Sequence, residues 1–280
     1  MQLVVLNGFD RSGTSFIGGM LARHPQVNYF FQPFSSTDIH RAQYEIWGDE
    51  DGSPAAESFL RSMREGRIER DFIASDWFDR FSEYDLEDNR GIGIIKETKL
   101  HTKIDWLRRT LQGIEIYGIW REPVAVLCSL LRNGFHRKWY GSPAFEKTCS
   151  LIRQDERLFM YKQFMNESLG EEARMALIIA VRTQLMISGL GPDKWLVYER
   201  VLSDPDDELN RFCRNFGLNE FGFSSRRHKD FNVIGLRYQR QDLWKDYFRD
   251  AMPAQVEQIL GTINQEPDAP QSPARSCSEA

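Results

Sequence analysis

A chain of 280 residues, with 41% hydrophobic and 28% charged side chains, is long enough for one large α/β domain. Its formal net charge of -5 disfavours nucleic acid or an anionic membrane as a partner, because both require a basic surface. The four cysteines are far apart and form no C-x-x-C pair, so the sequence indicates neither a metal site nor a disulfide framework. We therefore expect a cytoplasmic protein.

Apolar runs predict strands at 2–6, 27–31, 92–95, 114–120 and 195–198. Helical spacing predicts helices at 16–21, 103–111, 124–131, 171–187 and 205–216. The stretch 35–87 is mostly polar, with aromatic residues at helical spacings, and is expected to form substrate-facing helices and a lid. The alternation predicts an α/β, P-loop-type, three-layer fold with a central parallel sheet and helices on both faces. One domain accounts for 1–264, and the Pro- and Ser-rich segment 265–280 is predicted to be a disordered tail.

The segment 8–15 joins the first strand to the first helix and has the composition of an anion-binding loop. Small residues let several N–H groups and the positive helix end converge on one anion. The spacing from Gly8 to Gly13 is that of a nucleotide-binding P-loop, but Thr14 stands where its lysine would follow. Arg11 can supply the cation instead, through its planar guanidinium. The segment predicts a phosphate or sulfate site; an ordinary capped turn is the alternative.

A second element begins at Arg121, directly after the strand 114–120, where Pro123 opens a helix that carries Ser129. Eight residues separate Arg121 from Ser129, which places Ser129 about two helical turns beyond the helix start. Both side chains can then face the crevice at the carboxyl ends of the strands and bind a second phosphate. The alternative is an exposed arginine with an unrelated serine on the helix surface.

Together these elements resemble the PAPS-dependent sulfotransferase family, whose donor loop reads R-S-G-T-S in many members and whose second element reads R-x-P-x-x-x-x-x-S. The run RSGTSFIGGMLARHPQVNYFFQPF is most similar to the carbohydrate (GlcNAc/Gal 6-O) branch, and VYERVLSDP is similar to its Y-E-D-L-x-x-D-P segment. The resemblance implies 3′-phosphoadenosine 5′-phosphosulfate (PAPS) as donor. It places the 5′-phosphosulfate on Arg11, Ser12, Gly13, Thr14 and Ser15, and the 3′-phosphate on Arg121 and Ser129, with Tyr198, Arg237 and Arg240 as further donor-binding candidates.

The residue that would deprotonate an acceptor departs from the family pattern. The resemblance implies a glutamate before proline after the second strand, but this chain has Gln32, and an amide cannot accept that proton at neutral pH. Gln32 is therefore expected to orient the acceptor. Glu97, beside Lys96 at the end of the third strand, is the first substitute, unless it only pairs with a lysine; Asp38, His40 and His136 follow. Arg11, Gln32, Lys96 and Glu97 are the predicted catalytic residues.

The sequence thus favours a sulfotransferase that moves the sulfuryl group of PAPS to a hydroxyl or amine of a small-molecule or sugar acceptor by in-line displacement, without a metal. The acidic net charge favours a small natural-product acceptor over a long anionic glycan. The alternatives are a donor-binding pseudoenzyme that lacks the glutamate base and, with less support, a P-loop kinase. Acceptor identity, O- versus N-sulfation and oligomeric state are left open.

Overall fold

The computed structural model describes residues 1–32, 34, 54–65, 91–166, 168–223, 247–248 and 251–263. Five strands form one sheet: β1 Gln2–Gly8, β2 Val27–Phe31, β3 Ile92–Glu97, β4 Glu115–Trp120 and β5 Trp195–Val197. The predicted tail 265–280 and the domain limit at 264 lie outside the described residues, as does most of the stretch 35–87.

The described helices surround this sheet. They are α1 Thr14–Leu21, α2 Pro54–Arg64, α3 Ile104–Thr110, α4 Pro123–Arg132, α5 Phe135–Lys138, α6 Ser142–Gln154, α7 Glu171–Gly189, α8 Tyr198–Ser203, α9 Pro205–Arg214 and α10 Ala254–Leu260, with 3-10 helices at Glu156–Phe164 and Gly261–Ile263. Strand β5 ends one residue before its predicted limit, because Tyr198 already begins α8. None of these helices is both long and apolar enough to cross a membrane.

All the pairings in the sheet are parallel, in the order β2-β3-β1-β4-β5, which confirms the predicted parallel sheet. Strand β1 pairs with β3 on one side and β4 on the other. After β1 the chain forms β2 at one edge of the sheet and then β3 between them. It next crosses to the other side of β1 to form β4, so the strand order reverses at β1. Parallel sheets bind ligands outside the carboxyl ends of their strands at such a reversal. The loop that follows β1 lies at this point.

Helices cover both faces of the sheet, as predicted, because strand side chains alternate between the faces. Val4 and Leu6 pack with α1 and α9 in one apolar core, whereas Leu3 and Val5 pack with α2, α3 and α7 in another. A third core unites α4, α6, α7 and α10 and includes Phe9 from the loop after β1. Burial of Phe9 therefore fixes the start of that loop against the helical layer.

Candidate functional site

The loop between β1 and α1 turns sharply enough to need unusual backbone angles. Arg11 has a φ of 72° and Gly13 a φ of 92°, both in the left-handed region that glycine tolerates best. Within the turn the Ser12 N–H donates to the Phe9 carbonyl at 3.0 Å, and Gly13 then precedes α1 without a side chain to cap its first turn. This geometry leaves the start of α1 facing the carboxyl edge of the sheet, as an anion site requires.

Two glycines bring this loop into close contact with its neighbours. A Cβ at Gly13 would lie 2.2 Å from the Tyr198 ring, so the loop backbone rests directly on the first residue of α8. A Cβ at Gly8 would lie 2.6 Å from the Ser12 hydroxyl oxygen and 3.0 Å from Cβ of Ile119 in β4. Any other residue at these two positions would therefore push the loop away from β4 and α8.

Arg11, Ser129 and Arg121 come together at this edge although they lie far apart in sequence. Arg11 Nε donates to Ser129 Oγ at 3.0 Å, and Arg121 Nη1 donates to the Arg11 carbonyl at 2.8 Å. The Arg121 guanidinium also stacks over the Tyr198 ring, 4.6 Å from its centroid. The structure thus joins the two predicted donor elements and Tyr198 in one cationic crevice.

The local sequence explains why Arg121 and Ser129 face this crevice. The Glu122 carboxylate caps α4 by accepting from the N–H groups of Val124 at 3.1 Å and Ala125 at 2.7 Å, and Pro123 fits the first helical turn. The helix therefore starts at the end of β4 and carries Ser129 inward, where it is buried.

The Ser12 hydroxyl in the loop and Arg121 Nε, directly after β4, are buried and have no hydrogen-bond partner within the described part of the chain. Buried donors usually have a partner, so these two atoms are candidates for contact with a ligand. Thr14 is buried next to them and Ser15 is half-buried at the start of α1.

Gln32, Lys96 and Glu97 lie on the opposite half of the edge, at the ends of β2 and β3. Gln32 has a left-handed φ of 46°, its N–H donates to the Lys96 carbonyl at 2.8 Å, and its Nε2 donates to Thr98 Oγ1 at 3.2 Å. A left-handed non-glycine residue costs about 1–3 kcal/mol and is found preferentially at functional sites. This strain supports a site role for Gln32 without defining it.

Lys96 is a charged side chain with almost no access to water. It is 2% exposed, and its ammonium lies 4.4 Å from the centroid of the Phe31 ring. Burial lowers the pKa of Lys96 to about 8, although the Asp10 and Glu97 carboxylates oppose this effect. Lys96 therefore carries a buried charge at the end of β3.

Glu97 is fully buried and bound to backbone groups. Its side chain accepts from the Phe34 N–H at 2.8 Å and from the Thr98 N–H at 3.4 Å, with 0% exposure. These contacts tie the chain after β2 to the end of β3. They give Glu97 a structural role, and its predicted role as a base remains a prediction.

The other predicted site residues do not meet at this edge within the described chain. His136 lies on α5 with Nε2 3.3 Å from the Glu171 carboxylate. Asp38, His40, Arg237 and Arg240 lie outside the described residues. Among the residues that the structure does describe, no cluster of three or more His, Cys, Asp or Glu is placed to hold a metal ion.

The sequence alone did not identify a polar cluster beside the loop. Tyr140 donates a hydrogen bond from its hydroxyl to Asp10, and Phe9 stacks on the Tyr140 ring with centroids 5.3 Å apart. The Arg182 guanidinium lies 5.5 Å from the Phe9 centroid and 5.4 Å from that of Tyr140. His101 packs on Phe9, and burial, with Arg182 nearby, lowers its pKa well below the usual value. Only the position of Asp10 next to Arg11 could have signalled this cluster.

No protein-family model and no curated protein matches the chain. Among solved structures, the sulfotransferase domain from the curacin biosynthetic pathway is similar with a TM-score of 0.49 at 14% identity, covering 95% of this chain and 98% of that one. The sulfotransferase domain from the Synechococcus PCC 7002 olefin synthase has a TM-score of 0.48 at 16% identity, covering 95% and 94%.

A third structure, a sulfotransferase from Alicyclobacillus acidocaldarius, has a TM-score of 0.43 at 14% identity and covers 93% of this chain and 96% of that one. Similarity at this level does not identify an activity. The function has to be inferred from the residues of the site.

Proposed function

We propose that this protein is a sulfotransferase that moves the sulfuryl group of PAPS to a hydroxyl or amine of a small-molecule or sugar acceptor by in-line displacement. The observation that carries the proposal is the direct contact between the two donor elements. Arg11 of the loop after β1 bonds to Ser129 of α4 at 3.0 Å, and Arg121 bonds to the Arg11 carbonyl at 2.8 Å. A ligand at this edge therefore meets two arginines at once.

Two anion subsites next to each other suit a nucleotide that carries phosphates at both ends of its ribose. The loop N–H groups, Thr14 and Ser15 are suited to the 5′-phosphosulfate, because they stand at the positive end of α1. Arg121 and Ser129 are suited to the 3′-phosphate. Arg11 lies between the two subsites, since its backbone belongs to the first and its Nε contacts the second.

The chain's own groups can stabilise the charge that develops during transfer. Negative charge grows on the oxygen that leaves with the nucleotide, and the N–H groups and hydroxyls at the start of α1 are preorganised to donate to it. The Lys96 ammonium, which interacts electrostatically with Asp10 of the same loop, adds a positive charge on the β3 side. Gln32 is placed next to Lys96 and is suited to orient an acceptor.

Two other functions compete with this proposal. A P-loop kinase requires a lysine on the transferred phosphate, and Thr14 occupies that position. A donor-binding pseudoenzyme would keep the same crevice but lose turnover, and Gln32 in place of glutamate supports this alternative. The buried Lys96 cation at the end of β3 supports an active enzyme, because it is suited to stabilise negative charge that develops during transfer.

Calorimetric titration with adenosine 3′,5′-bisphosphate (PAP) in EDTA tests the donor site. We expect binding without metal, and Arg121→Met should weaken it about ten- to hundredfold, the cost of a lost charged hydrogen bond. Arg108→Met removes an exposed arginine on α3 and should leave binding unchanged. Absence of PAP binding, or tighter binding of Mg·ATP than of PAP, would overturn the proposal.

An acceptor screen with sulfur-labelled PAPS separates an enzyme from a pseudoenzyme. The wild type and Gln32→Glu are compared against a common panel of alcohols, phenols, amines and sugars. Transfer by the wild type supports an active enzyme. Transfer by Gln32→Glu alone would identify a protein that binds the donor but has lost its base.

A further inference from the structure

The missing glutamate at Gln32 leaves the transfer without an obvious proton acceptor. The Gln32 amide is bonded to Thr98 and cannot take a proton. Glu97 is fully buried and accepts from two backbone N–H groups, so an acceptor molecule cannot reach it without breaking those bonds. Of the residues that the structure describes at this edge, neither Gln32 nor Glu97 is therefore suited to act as the base.

We propose that Asp10 is this base and that the Tyr140 hydroxyl holds its carboxylate in place. The inference rests on the proposed sulfotransferase function. Asp10 is half-buried in the turn after β1, directly before Arg11, and accepts a hydrogen bond from Tyr140. It is therefore a partly accessible carboxylate directly before Arg11, the cation of the loop.

Asp10 bonds to a different group from those that hold Arg11. Arg11 contacts Ser129 and Arg121 on the β4 side, where the proposed nucleotide subsites lie. Asp10 instead accepts from Tyr140, and Phe9 beside it packs on His101, which follows β3. Phe9 and Asp10 thus contact groups outside the set formed by Arg11, Ser129 and Arg121, and the Lys96 ammonium adds an electrostatic interaction with Asp10.

The charges around Asp10 favour a neutral acceptor over a cationic one. Lys96 approaches it from β3, Arg11 adjoins it in the loop, and Arg182 of α7 lies against Tyr140. Glu97 is the other carboxylate near Lys96, and His101 is kept neutral by its lowered pKa. Among the described residues here, the cations Lys96, Arg11 and Arg182 thus outnumber the carboxylates Asp10 and Glu97, so an ammonium ligand would be repelled whereas a neutral hydroxyl would not.

Tyr140 is suited to a positioning role. Burial and the Asp10 carboxylate raise the pKa of the Tyr140 hydroxyl well above its usual value, so it remains a donor over the physiological range. Its ring is fixed by stacking on Phe9. The Tyr140 hydroxyl thereby fixes the orientation of the Asp10 carboxylate.

In the proposed step Asp10 takes the proton of the acceptor hydroxyl while the acceptor oxygen forms its bond to sulfur. The bond between sulfur and the bridging oxygen of PAPS breaks, and its electron pair leaves with PAP. Asp10 then returns the proton to solvent. No oxidant, metal or further reactant is required.

The test compares two kinds of acceptor in Asp10→Asn. A pool of neutral alcohols (methanol, glycerol, glucose, benzyl alcohol and 2-phenylethanol) needs a base, whereas 4-nitrophenol is largely ionised in water at pH 8 and does not. We expect Asp10→Asn to lose about 100- to 10,000-fold in transfer to alcohols, the usual contribution of a general base, and to retain transfer to 4-nitrophenol. Asp193→Asn, at an exposed carboxylate, is the matched control.

Tyr140→Phe keeps the carboxylate and should reduce alcohol transfer about tenfold without changing that of 4-nitrophenol. If Asp10→Asn does not fold, Tyr140→Phe still tests whether alcohol transfer depends on the Asp10 carboxylate. PAP binding to Asp10→Asn should be no weaker than to the wild type, because a negative charge beside Arg11 is removed. If the wild type does not bind PAP, the proposed donor site is refuted, and not only the proposed role of Asp10.

Two results overturn the role of Asp10 while leaving the donor site intact. The first is alcohol transfer by Asp10→Asn at the rate of the wild type. The second is a wild type that binds PAP but transfers to no alcohol in the pool, because a base that serves neutral hydroxyls would then have no substrate.

Discussion

Arg11 holds a left-handed backbone, with a φ of 72°, while its Nε donates to Ser129 Oγ at 3.0 Å. The strained turn therefore carries the side chain toward α4 and away from the axis of α1. A P-loop lysine would act on phosphates bound to the loop itself, whereas this arginine contacts Ser129, the residue proposed to hold the 3′-phosphate. In the proposed donor site, Arg11 is therefore suited to distinguish nucleotides with a 3′-phosphate from those without it.

Arg11→Ala should weaken PAP binding about ten- to hundredfold and weaken binding of adenosine 5′-phosphate less, because only PAP brings a group to Ser129. Alanine adopts a left-handed φ at about the same cost as arginine, so the free energy of unfolding should change by less than about 1 kcal/mol. Calorimetry with both nucleotides and urea unfolding measure the two effects. Equal losses for both nucleotides, or a variant that unfolds, would contradict this assignment.

The connection between β1 and α1 depends on its packing against α8. Gly13 combines a φ of 92° with a position where a Cβ would lie 2.2 Å from the Tyr198 ring, and Tyr198 in turn supports Arg121. A displacement of the loop would therefore reach both arginines of the crevice. The loop after β1, the segment before α4 and the start of α8 are thus linked by direct contacts.

Gly13→Ala should abolish measurable PAP binding, because the methyl group must displace either the loop or Tyr198. Gly113→Ala is the matched control: Gly113 has a φ of 80° but no atom within 4 Å of a Cβ at that position. The control should lose about 1 kcal/mol of stability and bind PAP normally. If both variants bind PAP alike, the contact with Tyr198 does not shape the loop.

The free energy of unfolding of the whole molecule should depend on pH because the charge of Lys96 is buried. Its ordinary pKa of 10.5 applies to the unfolded chain, and burial lowers it to about 8 in the folded state. Between these two pH values the folded chain has already released a proton that the unfolded chain still holds. The free energy of unfolding contributed by Lys96 therefore rises with pH across this window.

Comparison of the wild type with Lys96→Met isolates this contribution, because the cysteines and tyrosines titrate in both proteins. The stability of the wild type relative to the variant should increase by about 2–3 kcal/mol between pH 7 and pH 10. Urea unfolding at four pH values measures the difference. A constant difference would show that the folded chain holds the Lys96 proton as strongly as the unfolded chain does.

The strands and five of the described helices (α1, α3, α4, α7 and α9) could be predicted from the sequence, because each depends on a short-range signal. Short apolar runs identify the strands, helical spacing identifies these helices, and the glycine spacing with Arg11 predicts an anion-binding loop. The prediction that β5 extends to Tyr198 was wrong by one residue. An aromatic residue such as Tyr198 suits the end of a strand and the start of a helix equally. Its packing under Arg121, which the sequence does not show, accompanies its place at the start of α8.

The sequence alone determined that a loop containing an arginine follows β1 and that a second arginine precedes the helix after β4. Both features depend only on residues that are neighbours in the chain. Three contacts are determined only by the tertiary structure: Arg11 donates to Ser129, Glu97 accepts from the Phe34 N–H, and Asp10 accepts from Tyr140. These contacts join residues 63 to 130 positions apart. They depend on how the helices pack over the sheet, which local periodicity does not specify.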